Sequence, residues 1–169
     1  MNKRYCSWSS FKPLTPWTLG QMMNVEFVTL WLKDNKRTVV EVVWVSRHEI
    51  GVLVDGVEKK IFKKKDILQV SLMEKRGVTL VYDRETSKET QRSSPGWTNW
   101  KMGEPTMATL INLMEIGNLV QFAEWNDEYS VGRIWRVDRR GWVVFNGGQK
   151  MVHKSIISRH SSKKQESLV

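Results

Sequence analysis

The order of apolar and polar residues between Gly117 and Ser158 predicts a tight antiparallel β-meander. Short apolar runs are separated by Asn126-Asp127, Arg140-Gly141 and Gly147-Gly148, which are dipeptides typical of turns. The apolar positions predict one long bent strand containing Val131, Ile134, Trp135 and Val137, a strand from Trp142 to Phe145, and another containing Met151, Val152 and Ile156. About five strands in roughly forty residues is the size of one small closed barrel.

A comparable pattern occupies the first part of the chain. Thr15-Pro16 predicts a helix start with Thr15 as the N-cap. The strands predicted after it are Phe27 to Leu32, Val39 to Val45, Ile50 to Val54 and Ile61 to Val70, with turns at Asp34-Asn35 and Asp55-Gly56. Glu104-Pro105 predicts the start of a second helix, which is expected to stop at Gly117.

These two parts of the chain form an internal repeat. A shift of about 90 residues places Thr15-Pro16 on Glu104-Pro105, Trp44 on Trp135, and Asp55-Gly56 on Asn146-Gly147. A chance match between two β-rich segments is the alternative, since identity is low. Helix start, tryptophan and hairpin recur in the same order, which favours a true duplication.

Charge and cysteine content narrow the class of protein. Among 169 residues, 27 Lys and Arg stand against 18 Asp and Glu, a net charge of +9. This excess favours an anionic partner, with nucleic acid first and an acidic membrane or protein second, although many basic proteins bind none of these. The single cysteine, Cys6, excludes an internal disulfide and a multi-cysteine metal site, and it favours a reducing cytosol. Neither a signal peptide nor a membrane span is expected.

The candidate binding chemistry is cationic and aromatic. A cluster of five lysines surrounds a predicted hairpin and comprises Lys59, Lys60, Lys63, Lys64 and Lys65. They are either phosphate contacts or the solvated tip of a hairpin. Lys154, with Arg139 and Arg140 at the preceding turn, is expected to form the matching patch of the second half. Trp31 lies in an alternating strand, so it is either part of the core or an outward-facing ring that stacks on a base.

The sequence gives little support to catalysis. His48, His153 and His160 do not have the spacing of metal ligands, and no Gly-Lys-Ser/Thr phosphate loop occurs. Asp138 is better explained as a turn residue that caps backbone N–H groups than as a general base. We therefore expect a protein that is not an enzyme, with no metal site and no cofactor.

Both parts of the chain resemble the bacterial Hfq branch of the Sm-like family. Val131 to Asp138 resembles the first family motif, with Gly132 in the bent strand and an aspartate at the turn, and Met151 to Ser158 resembles the second. In the first part, Val28 to Leu32 resembles the opening strand of the family and Lys63 to Ile67 stands in for the second motif. The departures are Val40 for the strand glycine, Ser46 for the turn aspartate, Ser155 for the histidine of the second motif, and Ala123 at the aromatic position.

The resemblance implies a mostly β fold of two tandem Sm/SH3-like five-stranded barrels, each preceded by a short helix. The expected boundaries are a flexible arm at 1–14, barrels at 15–72 and 104–159, a linker at 73–103 and a basic tail at 160–169. The family forms rings through its sheet edges, so three chains are expected to close a pseudo-hexameric ring. By resemblance, Arg47, Arg139 and Lys154 match the pore-side RNA site, and Trp31 faces outward.

The function implied is non-enzymatic binding of single-stranded RNA by a cytoplasmic RNA chaperone or post-transcriptional regulator. Single-stranded DNA is a second candidate ligand. The alternative from another class is a protein-interaction module of Tudor or SH3 type, such as a host-modulating factor of a phage or mobile element, because these small barrels are also basic and tryptophan-rich. Binding of labelled RNA at low salt distinguishes the two.

Overall fold

The computed structural model describes the backbone of residues 5–6, 12–75 and 90–164, and the side chains of 12–72 and 92–164. Most of this part of the chain lies in antiparallel strands, with two helices, which confirms the prediction of a mostly β protein. We call residues 5–75 the first half and residues 90–164 the second half.

The first half contains one helix and six strands. They are β1 (Tyr5–Cys6), α1 (Pro16–Met22), β2 (Phe27–Leu32), β3 (Arg37–Ser46), β4 (Glu49–Val54), β5 (Glu58–Lys63) and β6 (Ile67–Lys75). A one-turn 3-10 helix, Lys64–Asp66, separates β5 from β6, so the single strand predicted from Ile61 to Val70 is wrong. The predicted N-cap is confirmed, because the Thr15 hydroxyl accepts a hydrogen bond from the Thr18 N–H.

The second half contains one helix and eight strands. They are β7 (Thr90–Gln91), β8 (Trp100–Met102), α2 (Met107–Ile116), β9 (Leu119–Glu124), β10 (Tyr129–Gly132), β11 (Ile134–Asp138), β12 (Trp142–Phe145), β13 (Lys150–His153) and β14 (Ile157–Lys163). Helix α2 starts after the N-cap Thr106 rather than at Glu104-Pro105, and it ends at Gly117 as predicted. The expected bent strand is divided at Arg133, and β10 and β11 belong to different sheets.

The same order of elements occurs in both halves. A helix is followed by antiparallel strands, a tight hairpin, a 3-10 turn and a long last strand. The hairpin turns also share an unusual backbone: φ is 53° at Asp55 and 73° at Gly56, and 51° at Asn146 and 70° at Gly147. Consecutive positive φ values are typical of tight hairpin turns, and Asp-Gly and Asn-Gly adopt them readily.

The strands form two open sheets. In one sheet the order is β1-β6-β2-β3-β11-β12-β13, and β4 joins β3 to β5; in the other it is β10-β9-β14-β8-β7. Within the described residues, no ladder joins β5 to β6 or β13 to β14. Neither half is therefore a closed barrel.

The three connecting segments are more structured than the sequence indicated. In the predicted arm, β1 pairs with β6, and Lys12 pairs with Val70. Residues 73–75 of the predicted linker belong to β6, and β7 and β8 extend the sheet of the second half. Strand β14 continues to Lys163, inside the predicted tail. The remaining parts of these segments, residues 1–4, 7–11, 76–89 and 165–169, lie outside the described residues.

The two halves meet where β3 pairs with β11, a junction we call the seam. Ser46 lies opposite Arg136, Val45 opposite Val137, and Trp44 opposite Asp138. Because β3 and β11 are equivalent strands running antiparallel, the seam relates the halves by an approximate twofold rotation. Helix α1 packs on its counterpart α2 about the same approximate axis. A Cβ at Gly20 would lie 3.2 Å from the backbone nitrogen of Ala108, so the glycine that weakens α1 permits this close packing.

One hydrophobic core serves both halves. Leu19, Val45 and Ile50 of the first half belong to the same buried cluster as Ile111, Phe122 and Val137 of the second. The Phe122 and Phe145 rings pack edge to face with centroids 5.2 Å apart. The repeated units are therefore joined through buried apolar surface, and the sheet face away from this core is available for other contacts.

Candidate nucleic-acid interface

Four of the predicted binding residues line one cleft, which we call the cationic cleft. It has a volume of about 540 Å³ and is lined by Arg47, His48, Glu49, Lys63, Lys64 and Lys65. The β3–β4 turn and the end of β5 come together because Glu49 pairs with Lys63 and the Lys64 N–H donates to the His48 carbonyl over 2.8 Å. Local strand pairing thus concentrates Arg47 and the lysines at one place.

Arg47 lies against the carboxyl-terminal end of α2. A Cβ added at Gly117 would be 3.5 Å from Arg47 Nη2, so the guanidinium sits beside the helix terminus. The partial negative charge of a helix carboxyl end favours a cation there. Arg47 is nevertheless exposed, so this contact holds it at the rim of the cleft.

Lys64 differs from the other lysines because it joins the two halves. Its Nζ donates to Glu115 Oε1 of α2 over 2.9 Å, and its side chain is only 13% exposed. Burial lowers the pKa of Lys64 from its usual value, and the hydrogen bond and charge of Glu115 oppose that shift. Lys64 is consequently a structural cation at the base of the cleft, while Lys63 and Lys65 are exposed.

Replacement of Glu115 by glutamine tests this structural role. We expect the free energy of unfolding at neutral pH to fall by about 1–3 kcal/mol, because a partly buried charge loses its ionised partner. The loss should shrink as the pH rises toward 10.5, the ordinary pKa of a lysine. Burial lowers the pKa of Lys64, so Lys64 becomes neutral below that pH and no longer needs a carboxylate partner. Urea titrations of the parent and the variant, from neutral pH toward 10.5, measure this difference in the free energy of unfolding.

Glu58→Gln is the matched control for Glu115→Gln. The pair of Lys60 and Glu58 is 3.8 Å long with side chains 49% and 64% exposed, so its loss should cost less than about 0.5 kcal/mol. Equal effects of the two substitutions would contradict the assignment of Lys64 as a buried tie between the halves.

Lys59 and Lys60 lie outside the cationic cleft. They line a second cavity of about 290 Å³ with Trp44, Gly51 and Ile61. Gly51 lies opposite both Trp44 and Ile61 in the strand ladders, so these residues share the outer face of the sheet. The lysine cluster of the sequence is therefore divided between two neighbouring cavities.

Trp31 faces outward rather than into the core. Its neighbours Val28 and Leu30 are fully buried on the other face of β2, whereas Trp31 is half-buried beneath Arg37, whose Cζ is 5.1 Å from the ring centroid. Trp31 does not line either cavity described above. If Trp31 stacks on a base, as predicted, it does so at a separate place from the cationic cleft.

The second half does not form the matching patch that the sequence predicted. The side chain of Arg139 extends into the first half, where Nε donates to the Val42 carbonyl over 2.6 Å and Nη2 to the Met22 carbonyl over 3.3 Å. Burial lowers the pKa of Arg139, and the charges of Glu41 and Glu26 oppose this. Lys154 is paired with Glu104 at 3.7 Å, which leaves Arg140 as the exposed cation of the three.

Three residues at the seam were missed as candidates. Arg136 Cζ lies 5.2 Å from the Trp44 ring centroid and 5.1 Å from that of Trp135. The internal repeat already placed Trp44 on Trp135, and this equivalence was the available signal. It was insufficient because only the pairing of β3 with β11 brings the two indoles to the same arginine.

Three further observations bear on the class of protein. Among the described residues, no group of three or more His, Cys, Asp or Glu is arranged to hold a metal ion. In the same part of the chain, neither helix has the length and apolar character needed to cross a membrane. Comparisons with protein-family models, curated proteins and solved structures find no match to this chain.

Proposed function

We propose that this chain is a non-enzymatic protein that binds single-stranded RNA through the cationic cleft. The single observation that supports it most is the clustering of Arg47, Lys63 and Lys65 around one cavity. Exposed cations at the rim of a groove are suited to neighbouring phosphates of a flexible strand. On this proposal the chain acts in the cytoplasm as an RNA chaperone or post-transcriptional regulator.

The arrangement of strands supports an Sm-like interpretation of the first half. In the first half, β6, β2, β3, β4 and β5 are neighbours in that order, and a 3-10 turn precedes the last strand. We propose that each half is an open small barrel of Sm or SH3 type. The turns that carry Arg47 and Lys63 to Lys65 then lie at one end of the first barrel.

Loss of three cleft charges tests the RNA proposal. The variant Arg47→Gln/Lys63→Gln/Lys65→Gln spares Lys64, which has the structural role described above. We expect its affinity for labelled single-stranded RNA to fall about tenfold or more at low salt, and its salt dependence to weaken by about two units of slope. Fluorescence anisotropy at about 50 and 200 mM salt measures both quantities.

The control removes the same charge from exposed sites elsewhere. Lys36→Gln/Lys101→Gln/Lys150→Gln alters three exposed lysines that do not line the cleft. Its affinity for RNA should remain within about threefold of that of the parent protein, because this variant loses only the general attraction due to net charge. A-rich, U-rich and duplex RNA and single-stranded DNA serve as probes. Failure of the parent protein to bind any of them at low salt rejects the proposal and favours the protein-interaction alternative.

The ring expected from the resemblance encounters an obstacle at the sheet edges. The outer edge of β6 is partnered by β1 and Lys12, and that of β14 by β8. Strands β5 and β13 pair on one side only within the described residues. A ring that used the last strand of each half would have to displace these segments. Light scattering at micromolar concentration tests the trimer, and a monomeric mass contradicts it.

A further inference from the structure

The outer face of the seam carries a stack that combines both halves. Trp44 comes from β3, and Trp135 and Arg136 come from β11. Arg136 lies opposite Ser46, and the core-facing neighbours of this pair are Val45 and Val137, both fully buried. Arg136 therefore points away from the core, and its guanidinium lies within 5.2 Å of the Trp44 ring and 5.1 Å of the Trp135 ring. We call these three residues the seam stack.

The guanidinium of Arg136 lies over two indole rings. Contacts with two indole faces fix its position through cation–π attraction. Among the described residues, these ring contacts are the interactions found for the Arg136 side chain, and its N–H groups have no hydrogen-bond or ion-pair partner. A positioned guanidinium with open N–H groups matches paired acceptor oxygens such as those of a phosphate.

The two tryptophans are set differently. Trp44 is fixed against β4, because a Cβ at Gly51 would lie 2.1 Å from its indole. Trp135 is 47% exposed. A Cβ added at Gly148 would lie 3.7 Å from its ring, an ordinary van der Waals distance, so Trp135 is packed less tightly than Trp44. Trp44 thus acts as a rigid support for Arg136, whereas Trp135 retains aromatic surface that a base can stack on.

The seam stack connects the cavities already described. Trp135 lines a cavity of about 300 Å³ whose other residues include Arg47 and His48, and both of these also line the cationic cleft. On the other side, Trp44 lines the cavity that contains Lys59 and Lys60. The cleft and the cavity beside Trp135 share Arg47, His48 and Glu49, and Arg136 links Trp135 to Trp44, so cationic and aromatic side chains follow one another from the cleft to the lysines of β5.

We propose that the seam stack is a nucleotide-binding site, in which Arg136 pairs with a phosphate and Trp135 stacks on the adjoining base. The site rests on the proposed function, and it extends that function to a position that neither half contains alone. On this proposal the strand that occupies the cationic cleft continues past Arg47 and His48 to Trp135, which lines the neighbouring cavity with them. The competing explanation is a stack that only stabilises the seam.

The test compares Arg136→Lys and Trp135→Ala with the parent protein. Arg136→Lys retains the charge but loses the planar fork, so we expect affinity for single-stranded RNA to fall about tenfold with an unchanged salt slope. Trp135→Ala should weaken binding by about tenfold through lost stacking. Arg92→Lys, at an exposed position outside the seam, is the matched control and should bind as the parent does.

The outcomes separate the two proposals. Anisotropy is measured well below the thermal midpoint of each variant, so that only folded protein is compared. Variants with lowered midpoints but parental affinity would show a purely structural stack and overturn this inference while the proposed function stands. A parent protein that binds no probe overturns both. Weakened binding by Arg136→Lys and Trp135→Ala, with Arg92→Lys unaffected, supports the site.

Discussion

Replacement of Arg139 by alanine is expected to lower the free energy of unfolding by about 3 kcal/mol. The side chain donates to the carbonyls of Val42 and Met22 and lies 3.7 Å from a carboxylate oxygen of Glu41. Its removal deletes both hydrogen bonds and the ion pair with Glu41 at the junction of the halves. Hydrogen bonds from a charged group are worth more than neutral ones, so losing two of them at a partly buried site is among the costly effects of a single substitution.

The neighbouring arginine supplies the control for Arg139→Ala. Arg140 is exposed, and its backbone carbonyl accepts a hydrogen bond from His153 Nε2 over 2.6 Å. Alanine at this position retains that bond. Arg140→Ala should therefore change the free energy of unfolding by less than about 0.5 kcal/mol. Urea denaturation followed by tryptophan fluorescence measures both variants. Similar stabilities for the two would refute the role of Arg139 as a clamp between the halves.

Gly51→Ala is the second substitution with a large expected effect on stability. The added methyl would lie 2.1 Å from the Trp44 indole, so either the ring or strand β4 must move. Overpacking of this kind typically costs about 1–3 kcal/mol, and we expect a value near the upper end because β4 is paired on both sides. The displaced indole also loses its contact with Arg136, so the proposed seam site predicts a fall in affinity for single-stranded RNA as well.

A double-mutant cycle isolates this clash. In a Trp44→Ala background the space above Gly51 is open, so the cost of Gly51→Ala should fall by about 1–2 kcal/mol. Chemical denaturation of the four proteins gives the coupling energy. Additive effects of the two substitutions would be inconsistent with an indole seated on Gly51.

Local patterns predicted the elements of this fold well. Strand β2 coincides with the predicted Phe27–Leu32, and Asp55-Gly56 forms the predicted hairpin turn with positive φ at both residues. Such features depend on alternation and on the few residues that tolerate this backbone. The 3-10 turn at Lys64–Asp66 was missed because the charged run that separates Phe62 from Ile67 contains neither glycine nor proline to mark a break in the strand.

The candidate site was predictable only in part, because it depends on which half each side chain faces. The lysines of the cationic cleft are close in sequence, so their clustering needs only one hairpin. Arg139 and Arg140 are adjacent and identical in type, yet one enters the opposite half and the other faces solvent. That difference follows from the pairing of β3 with β11, a contact between distant segments that no local pattern encodes.

The approximate twofold relation at the seam has a consequence for any polymer with a direction. A strand that passes over one half from its 5′ to its 3′ end meets the other half in the reverse sense, since equivalent strands at the seam run antiparallel. A strand that crosses the seam in a straight path therefore does not meet two equivalent surfaces, and the halves differ accordingly, as at Trp31 and its counterpart Ala123.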